Sequence, residues 1–382
     1  MTTSFLNPLP EKRAFQSSLL RWYSLHKRDL PWRETRDPYK IMVSEFMLQQ
    51  TRIETVLSYY DRFFKAFPSL PHLARAPLQR VLKLWAGMGY YARARNLHAA
   101  AKIIVKDLGG KIPSTKEALL ALPGFGPYTA GAMASIAFNQ RAAALDGNVK
   151  RVLSRLFGIS NFVSSLSKKK LLENFAEDIV PEGYASEFNQ ALMDLGATVC
   201  LPVRPKCPSC PIRRFCSFPA AEKRAEKRQE RNRREEVWAV ALIESNGRFL
   251  LHRKDGRGLL SGLWQFPTVV TPGKAVLPPG KNGGREKEVL RKNLREIFGI
   301  KIKFRKTLPS LQHSFTHIQA TLIPYLFSLA QDQNVPKTIL RPPARWVELS
   351  GLSRYPVSRA MMKVADLLKK RQGERELENL EE

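Results

Sequence analysis

The chain has no cysteine outside one stretch of seventeen residues. Among its 382 residues only Cys200, Cys207, Cys210 and Cys216 carry thiols, spaced C-x6-C-x2-C-x5-C. A disulfide scaffold would spread its thiols along the chain, and ordinary buried cysteines would not cluster, so both are excluded. No run of eighteen apolar residues exists, so no membrane-spanning helix is expected. The start, MTTSFLNPLPEKRAF, has no signal-peptide pattern. Acidic residues are scarce: 34 stand against 63 Lys and Arg, a formal net charge of +29. There are still too many acids for a bare basic tail, so the surplus belongs on folded surfaces. It predicts a polyanionic partner, most simply nucleic acid held through its phosphates, with anionic membrane as the rival. There is no internal repeat.

What is present starts with those thiols. Four thiolates suit tetrahedral zinc or a [4Fe-4S] cube. One close pair with two outlying ligands favours a cluster wrapped by a short loop over the two separated C-x2-C pairs common in zinc sites, and leaves both open. Free ligand thiols and the absence of a leader predict a reducing, cytoplasmic setting.

The length suits two domains. Residues 11 to about 216 read as helical: Phe15, Leu19, Trp22 and Leu25 recur at helical spacing, as do Val81, Leu82 and Trp85. The mixed-sign run Ala221 to Glu236 reads as a solvated linker. Strands are then expected at Val237 to Ile243, Arg248 to His252, Gln319 to Leu329 and Arg345 to Leu349. An amphipathic helix at Glu286 to Phe298 follows the Pro/Gly-rich loop TPGKAVLPPGKNGG. The boundaries read 1–220 for a helical domain, 221–236 for the linker, 237–369 for an α+β domain and 370–382 for a flexible tail.

Three segments carry chemistry. In LPGFGPYTA, Leu122 to Ala130, Gly124 and Gly126 make a tight turn and Pro127 opens a helix, baring N–H groups toward an anion such as a DNA phosphate. Asp146, in LDGNV, caps the helical run KRVLSRL, where the helix dipole favours a carboxylate. Glu45, in SEFMLQQT, sits among apolar neighbours, and a cavity with apolar walls would keep it protonated. One acidic and one anionic carboxyl are what cleavage of a glycosidic bond through an oxocarbenium-like state requires. Taken singly, these are also a hairpin turn, a helix cap and an exposed helix glutamate.

Together, SEFMLQQT, LPGFGPYTA, LDGNVKRVLSRL and the four cysteines resemble the endonuclease-III-like superfamily of base-excision glycosylases. LPWR (Leu30 to Arg33) and GMGYYARARNL (Gly87 to Leu97) resemble the adenine DNA glycosylases of the MutY type, and the resemblance spans essentially the whole chain. It implies a multidomain protein: an all-α helix–hairpin–helix glycosylase domain whose loop 200–216 holds one [4Fe-4S] cluster, and a C-terminal Nudix-like domain.

The resemblance further implies that Glu45 protonates the adenine leaving group and Asp146 stabilises the cationic sugar, with Tyr128 and Asn148 orienting them. Bifunctional relatives carry lysine where this chain has Tyr128, and tyrosine cannot form a Schiff base, so a monofunctional enzyme is expected. DNA contacts fall to Arg33, Gln49, Tyr90, Gly124, Gly126, Arg204 and Lys206, with Gln49 and Tyr90 as wedges filling the space of the flipped base. Phe315, Thr316 and His317, in QHSFTH, take the place of the loop that reads 8-oxoguanine. The family often has serine where Thr316 stands.

In a Nudix hydrolase the box helix binds Mg2+ through several glutamates. Here Lys292, Asn293 and Ile297 replace the expected residues and only Glu296 remains, so neither phosphohydrolase activity nor a Mg2+ requirement is expected. No cysteine is left for a linker zinc site. The implied partner is duplex DNA with adenine opposite 8-oxoguanine or guanine, bound by a monomer in a bacterial-like, nucleoid-associated cytoplasmic setting. The rivals are a bifunctional glycosylase/lyase, disfavoured by Tyr128, and a non-catalytic DNA-binding protein, disfavoured by Glu45 and Asp146 together.

Overall fold

The computed structural model describes residues 11–159, 165–218, 233–256, 258–273, 285–330, 338–340 and 343–378. Most of the charged run 221–236, the Pro/Gly-rich stretch from residue 274 to 284 and the last four residues lie outside them. The chain divides into two compact units, one of Met1–Arg75 with Arg95–Arg228, the other of Ala76–Ala94 with Gln229–Glu382.

The first unit is helical, as expected. Its helices are α1 (Lys12–His26), α2 (Pro38–Leu48), α3 (Ile53–Ala66) and α4 (Leu70–Arg75). After α5 (Leu78–Trp85), which belongs to the other unit, come α6 (Tyr91–Asp107), α7 (Lys116–Leu120), α8 (Pro127–Phe138), α9 (Gly147–Leu156), α10 (Leu166–Ile179) and α11 (Ala185–Thr198). Only the first turn of α6 lies in the second unit. Asp37 caps α2 by accepting the Tyr39 N–H, Pro38 opens the helix, and every residue from Ile41 to Met47 is buried. Helix α8 also opens on a proline, Pro127 after Gly126, and carries the small residues Thr129 to Ala132, Ala134 and Ser135. Its Gly131 permits close approach, since a Cβ there would lie 2.1 Å from the Ala143 carbonyl oxygen. One core cluster joins Phe15, Leu19 and Tyr23 of α1 to Val152 and Leu156 of α9 and to Phe188 and Leu195 of α11. The stripe on α1 runs through Tyr23, while Leu25 is exposed.

Among the described residues, the second unit is built on a nine-stranded mixed sheet. Its elements are β1 (Arg234–Ser245), β2 (Arg248–Arg253), β3 (Trp264–Gln265), β4 (Thr268–Pro272), α12 (Arg285–Phe298), β5 (Ile302–Thr307), β6 (Leu311–Ser314), β7 (Ile318–Leu329), β8 (Thr338–Leu340), β9 (Pro343–Val347) and α13 (Arg359–Glu378). The long central strands β1 and β7 run parallel, and each is buried through eight consecutive residues. The order is β5-β7-β1-β2-β9-β8, with β6 folding back on β7 as a hairpin. Helix α13 extends to Glu378, into the segment expected to be a tail. Helix α5 groups here: Gln79 donates to the Gly262 carbonyl and accepts the Trp264 indole N–H.

Candidate active site

Helix α2 lies against α8 through a run of buried apolar residues, and this carries Glu45 into the interior at 4% exposure. Glu45 meets a cavity of about 290 Å³ within the first unit, lined also by Arg33, Tyr128, Asp146, Asn148 and Gln190. The structure thus gathers four expected catalytic residues, distant in sequence, around one space. Glu45 is hydrogen-bonded to Tyr128, and its Oε2 has no partner among the described residues. Burial pushes the carboxyl up to about 7, with the Asp146 charge adding to the rise and the Tyr128 hydrogen bond and Arg33 opposing it. A buried acid that lines a cavity, with one oxygen unpartnered among the described residues, is placed to donate a proton.

Asp146 caps α9, its Oδ1 accepting the Val149 N–H at 2.6 Å and its Oδ2 facing the Asn148 amide at 3.4 Å. Burial raises its carboxyl above the usual aspartate range. The Val149 and Asn148 N–H groups, the Arg151 guanidinium and the Asn148 side chain pull it back. In the free protein desolvation outweighs those donors. The preceding segment is held rigidly, because Asn189 accepts the Ala144 N–H and donates to the Ala142 carbonyl.

Sequence reasoning missed Arg151. Its guanidinium donates to Asn148 Oδ1, to the Gly196 carbonyl and to the Cys200 carbonyl. Asp146 is therefore tied through two side chains to the first cysteine of the thiol loop. Such a tertiary link leaves no local signature in sequence.

The four cysteines line one cavity of about 50 Å³ walled by Val152, Leu156, Leu195 and Ile212. No group of three or more His, Cys, Asp or Glu among the described residues converges on a point where a single metal ion would sit. Four thiols around one cavity are a donor set that suits a thiolate-ligated metal centre. Arg155 donates to Cys200 Sγ at 3.3 Å, the kind of hydrogen bond a thiolate-ligated cluster accepts. Arg204 and Lys206 are exposed on the loop between the first two cysteines.

Gly124 has φ 83°, and a Cβ there would lie 2.6 Å from the Phe46 ring and 2.7 Å from Asn96 Cβ, so the turn requires glycine. Gly126 is exposed and has open space where a side chain would sit. Arg33, expected at DNA, is turned inward: it is paired with the fully buried Asp194, which Arg28 also engages, and it touches the Tyr23 hydroxyl. Gln49, one expected wedge, donates to Thr129 Oγ1 of α8. Its neighbour Gln50 is the exposed one, at φ 56°, a left-handed strain that sequence reasoning had no means to register. Tyr90 is 39% exposed at φ 49°. Its hydroxyl bonds to Thr316 Oγ1 within the second unit, so an expected wedge and an expected lesion reader meet. Phe315 and Thr316 are half-buried and His317 is exposed, at the tip of the β6–β7 hairpin. On α12, Glu296 is exposed and pairs with Lys292.

Residues 43–182 match the model of the HhH-GPD superfamily of base-excision DNA repair proteins, and residues 239–367 match the NUDIX domain. Among solved structures, a thermostable thymine-DNA glycosylase aligns with a TM-score of 0.50 and 36% identity, covering 54% of this chain and 95% of that one. The adenine DNA glycosylase of Homo sapiens is 36% identical over 93% of this chain and 74% of its own length. That of Buchnera aphidicola subsp. Schizaphis graminum is 30% identical over 93% and 99%. These relationships span both units of the chain, which belongs to the adenine DNA glycosylase family.

Proposed function

We propose that the chain hydrolyses the N-glycosidic bond of adenine mispaired with 8-oxoguanine or guanine, as a monofunctional glycosylase that leaves an abasic site. The observation that carries this reading is the Glu45 carboxyl, buried and pushed up to about 7, facing one cavity with Asp146. Adenine flipped from the duplex enters the cavity at a cost of a few kcal/mol of lost stacking. Glu45 gives its proton to the base, the bond from C1′ to the base breaks, and the departing adenine takes the bonding pair. Asp146 stabilises the resulting sugar cation until water adds at C1′ and releases a proton to solvent, leaving the hydroxyl of the abasic sugar. Tyr128 and Asn148 orient the two carboxyls, and a tyrosine at the hairpin position leaves no amine for strand cleavage.

Cys200, Cys207, Cys210 and Cys216 hold a [4Fe-4S] cluster, which when bound supplies rigidity to the loop that presents Arg204 and Lys206 to DNA phosphates. The hairpin glycines and the α8 N-terminus meet the backbone as well. Gln50 joins Tyr90 as a candidate for the residue that fills the vacated stack, being exposed where Gln49 is held inward. Thr316 and His317, with Phe315 beneath them, read the base opposite adenine. The protein acts as a monomer in the reducing cytoplasm. Among the described residues no helix is long and apolar enough to cross a membrane.

The test is single-turnover adenine release from a duplex with adenine opposite 8-oxoguanine. Glu45→Gln and Asp146→Asn are expected to lose release almost entirely while still binding the duplex. Full activity in Glu45→Gln would remove the acid assignment. A strong borohydride-trapped adduct with abasic DNA would remove the monofunctional one.

A further inference from the structure

The tip of the β6–β7 hairpin is held from below by strand β1. Arg234, Glu236 and Trp238 alternate along that strand and so share one face of it. Glu236, 6% exposed, accepts the Trp238 indole N–H at 2.9 Å through Oε2, while its Oε1 takes the Arg234 guanidinium. The indole, 3% exposed, is thereby fixed in rotation. Its ring stacks on Phe315 with centroids 5.1 Å apart and planes inclined by 27°. The His313 ring meets Phe315 edge-on at 4.6 Å. The backbone closes the same turn, the Phe315 N–H donating to the Ile318 carbonyl and the Arg234 N–H to the His317 carbonyl, and the Ser314 hydroxyl adds a side-chain bond to Gln319 Oε1.

Phe315 therefore points inward, one face against Trp238 and its flank against His313, and the tip presents Thr316 and His317. We infer that Trp238, clamped by Glu236, is a positioning residue for discrimination of the base opposite adenine: it anchors Phe315 and so presents Thr316 and His317 as a preformed reader. A tip ordered before DNA arrives avoids the cost of ordering it on binding, and that saving appears only in complexes that use the tip. This inference rests on the proposed reading of the tip as the recogniser of 8-oxoguanine.

The experiment measures affinity for duplexes carrying a non-cleavable adenine analogue opposite 8-oxoguanine or guanine, with adenine release from an adenine:guanine duplex as the control. Trp238→Met and Trp238→Leu, both without a flat ring, are expected to lower the preference for 8-oxoguanine by roughly tenfold and to leave the control release unchanged. Trp238→Phe, which keeps a ring over Phe315, is expected to retain most of the preference. A folded ring-free variant with wild-type preference, or one losing affinity for both duplexes alike, would overturn the positioning role. Hydrogen exchange on the wild-type protein tests it without any variant: the Phe315 and Arg234 amides, both bonded at the turn, are expected to be protected before DNA is added. Exchange there as fast as in an open loop until DNA binds would overturn preorganisation. A paired Thr316→Ala/His317→Ala variant separates the two readings. If it keeps the preference, the tip is not the reader; if it loses the preference while the ring-free variants keep it, only the role of Trp238 falls.

Discussion

Glu45 meets opposed demands. An acid pushed from 4.5 up to about 7 by burial keeps its proton near neutral pH, and the fold carries the cost. The folded-state value is raised, so the associated stability is fully present below about 4.5 and is lost as pH rises through about 7. Glu45→Gln is therefore expected to match wild type in denaturant melts at pH 4 and to exceed it at pH 8, by up to roughly 3 kcal/mol. The rate has the same sign: adenine release should fall above about pH 7 with the loss of one proton. Tyr128→Phe removes a hydrogen bond that lowers the Glu45 value, so its alkaline limb should move to higher pH. A limb that stays in place would mean another group donates the proton. Glu45, Tyr128 and Asp146 were legible because their local settings match a known pattern. The inward turn of Arg33 was not, since its partner Asp194 lies 161 positions along the chain.

Helices α9 and α11 set the position of Asp146. Gly196 of α11 lies under the first turn of α9, where a Cβ would come 2.7 Å from Asn148 Cβ and 3.2 Å from its backbone. The Gly196 carbonyl also receives the Arg151 guanidinium. Gly196→Ala must push Asn148 outward and carry Asp146 with it, and misplacement by about 1 Å can cost roughly a hundredfold in rate. The expected result is that loss in single-turnover release with duplex affinity nearly intact. An unchanged rate would show that α9 gives way without moving the carboxyl. Elements of this kind differ in how they are written in sequence. Helix periodicity is local, so Val81, Leu82 and Trp85 announced their helix, and the apolar runs of β1, β2 and β7 announced buried strands. The strands β3 to β6 were silent: β3 is two residues long, β5 is rich in Lys and Arg with one buried residue, and the four residues of β6 include none that is buried. Their strand character comes from pairing with β1, β2 and β7, which only the folded sheet supplies.

A net charge of +29 acts on DNA in two separable ways. Most of the cations contribute a field that draws in any duplex and falls with salt, whereas a few touch phosphates and release counterions one by one. Arg204 and Lys206 belong to the second group in the proposed reading: they are exposed on a short loop whose backbone is pinned by the Lys206 N–H donating to the Val199 carbonyl. Arg204→Ala and Lys206→Ala should therefore each weaken binding to damaged and undamaged duplex by the same factor. Each should also reduce the slope of log affinity against log salt by about 1. Thr316→Ala should behave the opposite way, leaving the slope alone and changing the ratio between 8-oxoguanine and guanine duplexes. Anisotropy titrations across a salt series read both quantities at once. An Arg204→Ala slope equal to wild type would place the loop off the phosphate backbone. The cysteine set would then serve the α9 junction through Arg151 rather than the DNA surface.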